Sequence, residues 1–545
     1  MTVSVDDTSA FAHKYLHNYG IPVEDLKKHS FKISGFEDTP ILRLFGVNSN
    51  TFAVGGHEWN IVFRPQNCVQ EGKVNVSIFL RCKGPKQLPK NWHVCAQFIL
   101  AISNPNDGTC YLQHTGKARF SDSTQSWGRL KFAELDKLLG PDGSRVKPII
   151  ENHKAVVTAF VQVFKDETGF LWHDFVDYDS KKETGYVSLK NHGGAGYLNP
   201  LLQLLFSNTY LRKAVYRIPT EHDGPDSVAL TLQRIFYELQ TSDTAVGIAQ
   251  LTKYLVWKSL DVSQSHDLLE FTRVLQHKLQ NRTKNTSVDG FFQYLFVGKC
   301  KRYIKCINVD HESSQEENFS DVQLDIKDFQ GRPFKTLQES LKAYVAPQKI
   351  DGDKKHYAGD DHGLQDANQG TVFIEFPPVL HLHLNRFEYN FQEDKQIQID
   401  DRLEFPSKLD LAPYLDESAD KTANWNYRLQ GVLVHSGEAQ EMKYFAFIQP
   451  HPQSKWFKFD DDRVIPVTAG EVLKSSTNVH MLVYIRESKE AAIRTTITQA
   501  DTPTHLKSLL QQEQRLHEQK KKEDEERHLY LTTKRKPSEY FKALI

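Results

Sequence analysis

The most chemically specific stretch of the chain is YVSLKNHGGAGYLNPLLQLLF, residues 186–206. A glycine-rich turn leads directly into the start of an apolar helix. Such a helix end presents unsatisfied N–H groups and the positive pole of the helix dipole, so it stabilises an oxyanion or a thiolate. A second stretch downstream, YRLQGVLVHSGEAQEMKYFAFIQP followed by KWFKFDDDRV, supplies the residues that could serve that helix end.

Other candidate chemistry is weaker. His381 and His383 in VLHLHLNRF share one face of a predicted strand, as two metal ligands would. Leu380, Leu382 and Leu384 occupy the opposite face, so plain strand alternation explains the pattern without a metal. Cys300 and Cys306 amount to half a zinc site, with no cysteine C-terminal to them, and read as ordinary strand residues. Asp351-Gly-Asp353 opens like a calcium loop, but Lys355 and Tyr357 stand where oxygen ligands are needed. No metal site and no cofactor are expected. Trp127, in QSWGRLKF, falls in a predicted loop and suits equally a core position or the platform of a peptide groove.

The elements that must position these residues are those of a globular protein. The 68 basic and 69 acidic residues leave a net charge of −1, which gives no global field for nucleic acid or a membrane surface. No apolar run approaches the ~20 residues of a spanning helix. The N-terminus lacks a basic start followed by an apolar stretch, so no secretory signal is expected. Six cysteines without a tight cluster point to a reducing compartment, nucleus or cytosol.

Residues 1–28 read as a polar tail. Over residues 29–165, runs such as TFAVGGHEWNIVFR, VNVSIFLRC, WHVCAQFILAIS and AVVTAFVQVF alternate with turn signals, the pattern of an all-β sandwich. A polar connector follows. Residues 184–488 begin with helices (GYLNPLLQLLFSNTYLRKAVY, VALTLQRIFYELQ, SHDLLEFTRVLQHKL) and continue with strands from FFQYLFVG to VHMLVYI. Helices first and strands second argue an α+β domain. Residues 489–545 form a charged helical tail whose stripe of Leu506, Leu509, Leu510 and Leu516 reads as a solvated face.

From Ser30 to Tyr530 the chain resembles the ubiquitin-specific proteases that carry an N-terminal MATH (TRAF-like) domain. The resemblance rests on LRKAVYRIPTE, VALTLQRIFYELQ, LDIKDF, DDRLEFPSKLDL, VLVHSGE, KFDDD and MLVYIRES, several of them remote from the active-site boxes. It implies a multidomain chain: a MATH sandwich, then a papain-like α+β protease domain of thumb, palm and fingers, then the charged helix.

The same resemblance implies that the chemistry has been lost. In the family the box before the helix reads Asn-x-Gly-x-x-Cys-Tyr; here residues 191–197 read NHGGAGY, so Asn191 matches the oxyanion position and Gly196 the nucleophile. The second box ends in Gly-His-Tyr, and here Met442-Lys443-Tyr444 puts Lys443 at the general base. A lysine, ordinarily protonated at neutral pH, cannot take a proton from a thiol. Asp460 matches the orienting carboxylate and is expected to pair with Lys443. The family's ubiquitin-tail residues match His266, Asp267, Glu270, Arg386, Phe387, Tyr389 and Tyr444, while two acids of the same helix are replaced by His277 and Gln280. Trp127 matches the peptide-binding tryptophan of the sandwich, with Ser126 in place of an acid. The expectation is a pseudo-deubiquitinase that binds short peptide motifs through its MATH domain and ubiquitin or ubiquitinated proteins through its protease-like domain, in nucleus or cytosol. The alternative is an active thiol-dependent ubiquitin hydrolase that controls substrate stability.

Overall fold

The computed structural model describes residues 3–35, 46–70, 73–84, 92–141, 145–190, 198–255, 268–390, 392, 394–436 and 443–512, with scattered residues between 515 and 526. The chain divides into two compact units, Met1–Asp177 and Tyr178–Ile545. Among the described residues no helix is long and apolar enough to cross a membrane.

The first unit comprises α1 (Thr8–Tyr15), β1 (Val23–Ser34), β2 (Val47–Asn48), β3 (Phe52–Val54), β4 (His57–Gln70), β5 (Lys73–Lys83), β6 (His93–Ser103), β7 (Tyr111–Ser121), β8 (Ser126–Glu134), α2 (Leu135–Leu139) and β9 (Lys154–Phe164). One antiparallel sheet has the order β1-β9-β6-β7; the other has β2-β4-β5-β8, with β3 beside β4. Their inner faces meet in a core built on Trp59, Ile61, Phe63, Ile78, Leu80 and Phe120. The β-branched and aromatic runs of the sequence become these strands because they suit a half-buried pleated surface.

The predicted N-terminal tail is not a tail. Asp7 caps α1 by accepting from the Ala10 amide, and Phe11 is fully buried against Ile99, Ala101 and Phe160 on the outer face of the first sheet. Phe11 stacks on Phe160 at 5.0 Å. The sequence reading missed it because an eight-residue helix with two buried residues shows no periodic stripe.

The second unit opens with helices α3 (Ser180–Thr184), α4 (Leu198–Ser207), α5 (Thr209–Tyr216), α6 (Val228–Thr241), α7 (Ala249–Leu255), α8 (Leu268–Thr283) and α9 (Phe291–Phe296). Next come β10 (Gly298–Cys306), β11 (Glu312–Phe319), β12 (Val322–Asp325), α10 (Leu337–Val345), β13 (Gln348–Ile350), β14 (His356–Tyr357), β15 (Leu364–Gln365) and β16 (Ala367–Glu375). The remainder is β17 (Val379–Asn385), β18 (Phe387–Asn390), β19 (Lys395–Gln398), β20 (Lys408–Asp410), β21 (Asn426–His435), β22 (Tyr444–Ile448), β23 (Trp456–Asp460), β24 (Arg463–Val467), α11 (Ala469–Lys474), β25 (Val479–Arg486) and α12 (Glu490–Ile493). A large sheet runs β12-β17-β25-β21-β22-β23-β24, with β20 on β21; a separate antiparallel sheet runs β11-β10-β16-β13.

The large sheet is buried on both faces. Leu201, Leu205, Leu232 and Phe271 of the helices cover one face, meeting Leu433 and Ala446. The other face carries Leu382, Tyr427 and Tyr484. Segment 291–296, predicted as a strand, is helix α9 following Gly290 at φ 77°. A short apolar run with Phe291, Phe292, Leu295 and Phe296 buried cannot be assigned by period alone. The charged C-terminal helix is anchored at its start rather than solvated. Leu506 is fully buried, the Thr220 hydroxyl lies 3.0 Å from His505 Nε2, and Asp501 pairs with Lys213 at 3.3 Å.

Helix α4 approaches the sheet closely because β21 carries glycine at 431. A Cβ there would stand 2.1 Å from Leu204 Cδ2. Leu204 is itself buried, so it has little room to yield. Gly431→Ala is expected to destabilise the second unit by about 1–3 kcal/mol, the usual range for overpacking. An unchanged melting temperature of that unit would contradict this reading of the packing.

Candidate functional site

Three chain segments converge at the head of α4, which packs against β22 and β23. The first is the strand-like segment ending at Lys190, tied by the parallel bridge Leu189–Val246. The second is the β23–β24 hairpin, in which Asp460 pairs with Arg463 and Asp461 turns the chain at φ 46°. The third is the start of β22, preceded by Lys443. Asn199, in the first turn of α4, holds two of these together. Its Nδ2 donates to Asp461 Oδ1 at 3.1 Å and to the Lys190 carbonyl at 3.4 Å. Ser188 Oγ adds a bond to the Asp462 carbonyl at 2.8 Å. The tie of Asn199 to a residue 262 positions away has no local signal in the sequence.

Asn191 and Gly196 lie in residues 191–197, outside the described residues, as do His266 and Asp267. Lys443 is exposed, and its carbonyl accepts from the Ser436 amide at 2.8 Å. Asp460 ends β23, next to Phe459, which pairs with Ala446 of β22. The expected partner of Asp460 needs correcting. Its carboxylate accepts from Lys458 Nζ at 2.6 Å, two residues back on the same face of the strand. The same ammonium sits 4.1 Å from the Phe445 ring centroid. Lys458 is placed for this by strand alternation, which puts residues two apart on the same face.

Thiol chemistry finds no other host among the described residues. Cys82, Cys95, Cys110, Cys300 and Cys306 are all buried. Burial pushes the Cys82 and Cys95 thiols up to about 12 and raises Cys110 and Cys300 as well. A thiol shifted that way is an inert packing group, not a nucleophile.

Of the ubiquitin-tail residues, Phe387 and Tyr444 are brought together around two buried histidines. Phe387 lies 5.0 Å from the His480 ring and Tyr444 lies 4.9 Å from His435. Burial, reinforced by His435, Arg386 and His383, lowers His480 to about 3, so it stays neutral. Neither histidine was singled out from sequence, since each sits in an ordinary strand run. Tyr389 is exposed on β18 and donates to Asp394. Glu270 is exposed on the first turn of α8, whose outward face also carries Arg273 and His277, while Phe271, Leu275 and Leu279 face the core. Arg273 is paired with Asp321 at 3.2 Å.

Arg386 departs from its expected role as a ligand contact. It is 1% exposed. Its guanidinium donates to the carbonyls of Val479 (2.6 Å), Ile399 (2.9 Å), Asp401 (2.8 Å) and Ser476 (3.0 Å). With its donors turned inward it ties its own segment to residues 399–401 and 476–479. Burial lowers it only to about 10, so the guanidinium remains charged.

In the first unit Trp127 lies on strand β8, not in a loop, and is 42% exposed. It is therefore not a core residue. It walls a groove of about 410 Å³ between β7 and β8, floored by Phe98 and Leu100. Both strands end their sheets, so β7 presents an edge toward the groove.

A sandwich of this kind followed by this α+β domain defines a class, and comparison with known proteins names it. The family described as ubiquitin carboxyl-terminal hydrolase matches residues 187–484, and the MATH domain matches residues 28–146. The chain belongs to the ubiquitin carboxyl-terminal hydrolase family. It is 38% identical over 533 residues to ubiquitin carboxyl-terminal hydrolase 15 of Saccharomyces cerevisiae, covering 89% of this chain and 43% of that protein. It is 40% identical over 527 residues to ubiquitin carboxyl-terminal hydrolase 15 of Schizosaccharomyces pombe, covering 88% and 46%. Ubiquitin carboxyl-terminal hydrolase 7 of Drosophila melanogaster is 39% identical over 475 residues, covering 84% and 40%. The chain thus spans less than half the length of these relatives.

Proposed function

We propose that this chain is a pseudo-deubiquitinase of the nucleus or cytosol: a binding protein that takes partner peptides on its MATH unit and ubiquitin on its protease-like unit. One observation carries the reading. The positions matched to nucleophile and base are Gly196 and Lys443, so no thiol stands at the head of α4. Two further observations support it: the carboxylate at Asp460 is taken up by Lys458, and the described cysteines are buried. The relatives' names favour the other reading, an active thiol hydrolase, which would need a nucleophile from a position other than 196.

Ubiquitin binding rests on the retained Glu270, Phe387, Tyr389 and Tyr444. It is weakened by His277 and Gln280, which leave the outward face of α8 with fewer acids for a basic tail. Titration of isotope-labelled monoubiquitin with the full chain is expected to give a Kd of tens of micromolar or weaker, roughly −6 kcal/mol. The absence of any shift change at high concentration would remove the ubiquitin half of the proposal and leave a peptide adaptor.

A further inference from the structure

We infer that the second unit holds one internal water, which bridges Asn208 at the α4–α5 corner to His381 and Gln430 of the large sheet.

The site is a cavity between the helices and the sheet. It offers about 10 Å³ to the centre of a water, the room of a single molecule. Leu204, Leu205 and Met481 supply apolar wall, while Asn208, His381 and Gln430 supply the polar groups. All six residues are buried.

Each polar group is placed by the backbone. Asn208 joins α4 to α5 and caps α5, its Oδ1 accepting from the Leu211 amide at 3.0 Å. That bond fixes which amide atom is which. Nδ2 is left buried, with no acceptor among the described residues. Gln430 is the extra residue of a bulge on β21, since Leu429 pairs with Tyr484 of β25 and Gly431 with Val483. A bulge re-aims its side chain, and Gln430 Nε2 donates to Ser207 Oγ at 2.9 Å. Its amide oxygen remains as an acceptor. His381 lies on β17, with the Phe296 ring centroid 5.0 Å from its own. Burial lowers the imidazole to about 3, so it stays neutral, with one donor and one acceptor nitrogen.

A buried amide N–H without an acceptor is costly. A water removes that cost by accepting from Asn208 Nδ2 and donating to the His381 ring and the Gln430 oxygen, the two to four partners usual for a buried water. A monatomic ion suits the site less well. None of the described lining residues carries a formal charge, and an uncompensated charge among leucines costs far more than a hydrogen-bonded dipole.

Crystals of the full chain, at a resolution that shows ordered solvent, are expected to hold one density peak about 2.7–3.2 Å from Asn208 Nδ2 and from a His381 ring nitrogen. Absence of the peak, or a protein acceptor on Asn208 Nδ2, would overturn the inference. Growth in bromide separates water from an anion, and an anomalous peak at the site would rule out the neutral occupant. Stability gives the readout in solution. Asn208→Ser keeps a capping oxygen but removes the amide donor; His381→Phe removes the ring nitrogens. With a bridging water, each single variant lowers the melting temperature of the second unit by a few degrees, and the double variant falls by less than the sum. Without one, His381→Phe exchanges an unsatisfied polar ring for an apolar one and the melting temperature rises. Such a rise, or strictly additive losses, would refute the bridge. The wild-type crystals decide the question even where a variant fails to fold.

Discussion

Purified protein is expected to release no fluorophore from a ubiquitin conjugate and to form no adduct with a ubiquitin-based thiol probe. The expected deficit is roughly a millionfold in rate, the scale of removing a nucleophile from a catalytic triad. Gly196 has no side chain to attack a carbonyl. Lys443 offers no imidazole that Asp460 could orient to take a proton from an incoming thiol. Gly196→Cys alone should therefore recover nothing measurable. Gly196→Cys with Lys443→His should recover a small rate, because the new imidazole must compete with Lys458 for the Asp460 carboxylate. Adding Lys458→Met removes that competitor and should raise the rate further. Probe labelling of any native cysteine would sink the pseudoenzyme reading. Full recovery in Gly196→Cys alone would show that the base does not reside at position 443.

Arg386→Ala is expected to cost the second unit about 3–5 kcal/mol, near the upper end for a single substitution. Three buried carbonyls, on Val479, Ile399 and Ser476, and the half-buried one of Asp401 lose their donor together. Arg386→Lys should retain part of the stability, since an ammonium has three donors in a compact cluster rather than a planar fork. Hydrogen exchange would locate the damage, with protection lost over residues 386–401 and 476–480. Loss of ubiquitin affinity at unchanged thermal stability would instead make Arg386 a direct contact and contradict its buried geometry.

Much of the architecture was legible from local pattern. The strand runs of the sandwich, the change to helices after residue 184 and the return to strands follow the period of apolar residues, a short-range property. Period failed where elements are short or apolar all round, as at α1 and α9, because a helix of six or eight residues completes too few turns to declare itself. It also failed at Leu506, whose burial depends on a surface contributed by residues near 220.

For the site the division is sharper. Sequence by itself determined which atoms the chain possesses: glycine at 196, lysine at 443 and six cysteines in all, and the proposal of a missing catalytic thiol rests on these alone. Tertiary structure alone decided where shared residue types are directed. Arg386 points inward, Asn199 reaches Asp461, and Trp127 stands exposed on a bulged strand. The physical reason is that composition sets what a side chain can do, whereas its partner is chosen by through-space distance. Strand register, a bulge or a close helix approach sets that distance over separations of up to hundreds of residues, which no local window contains.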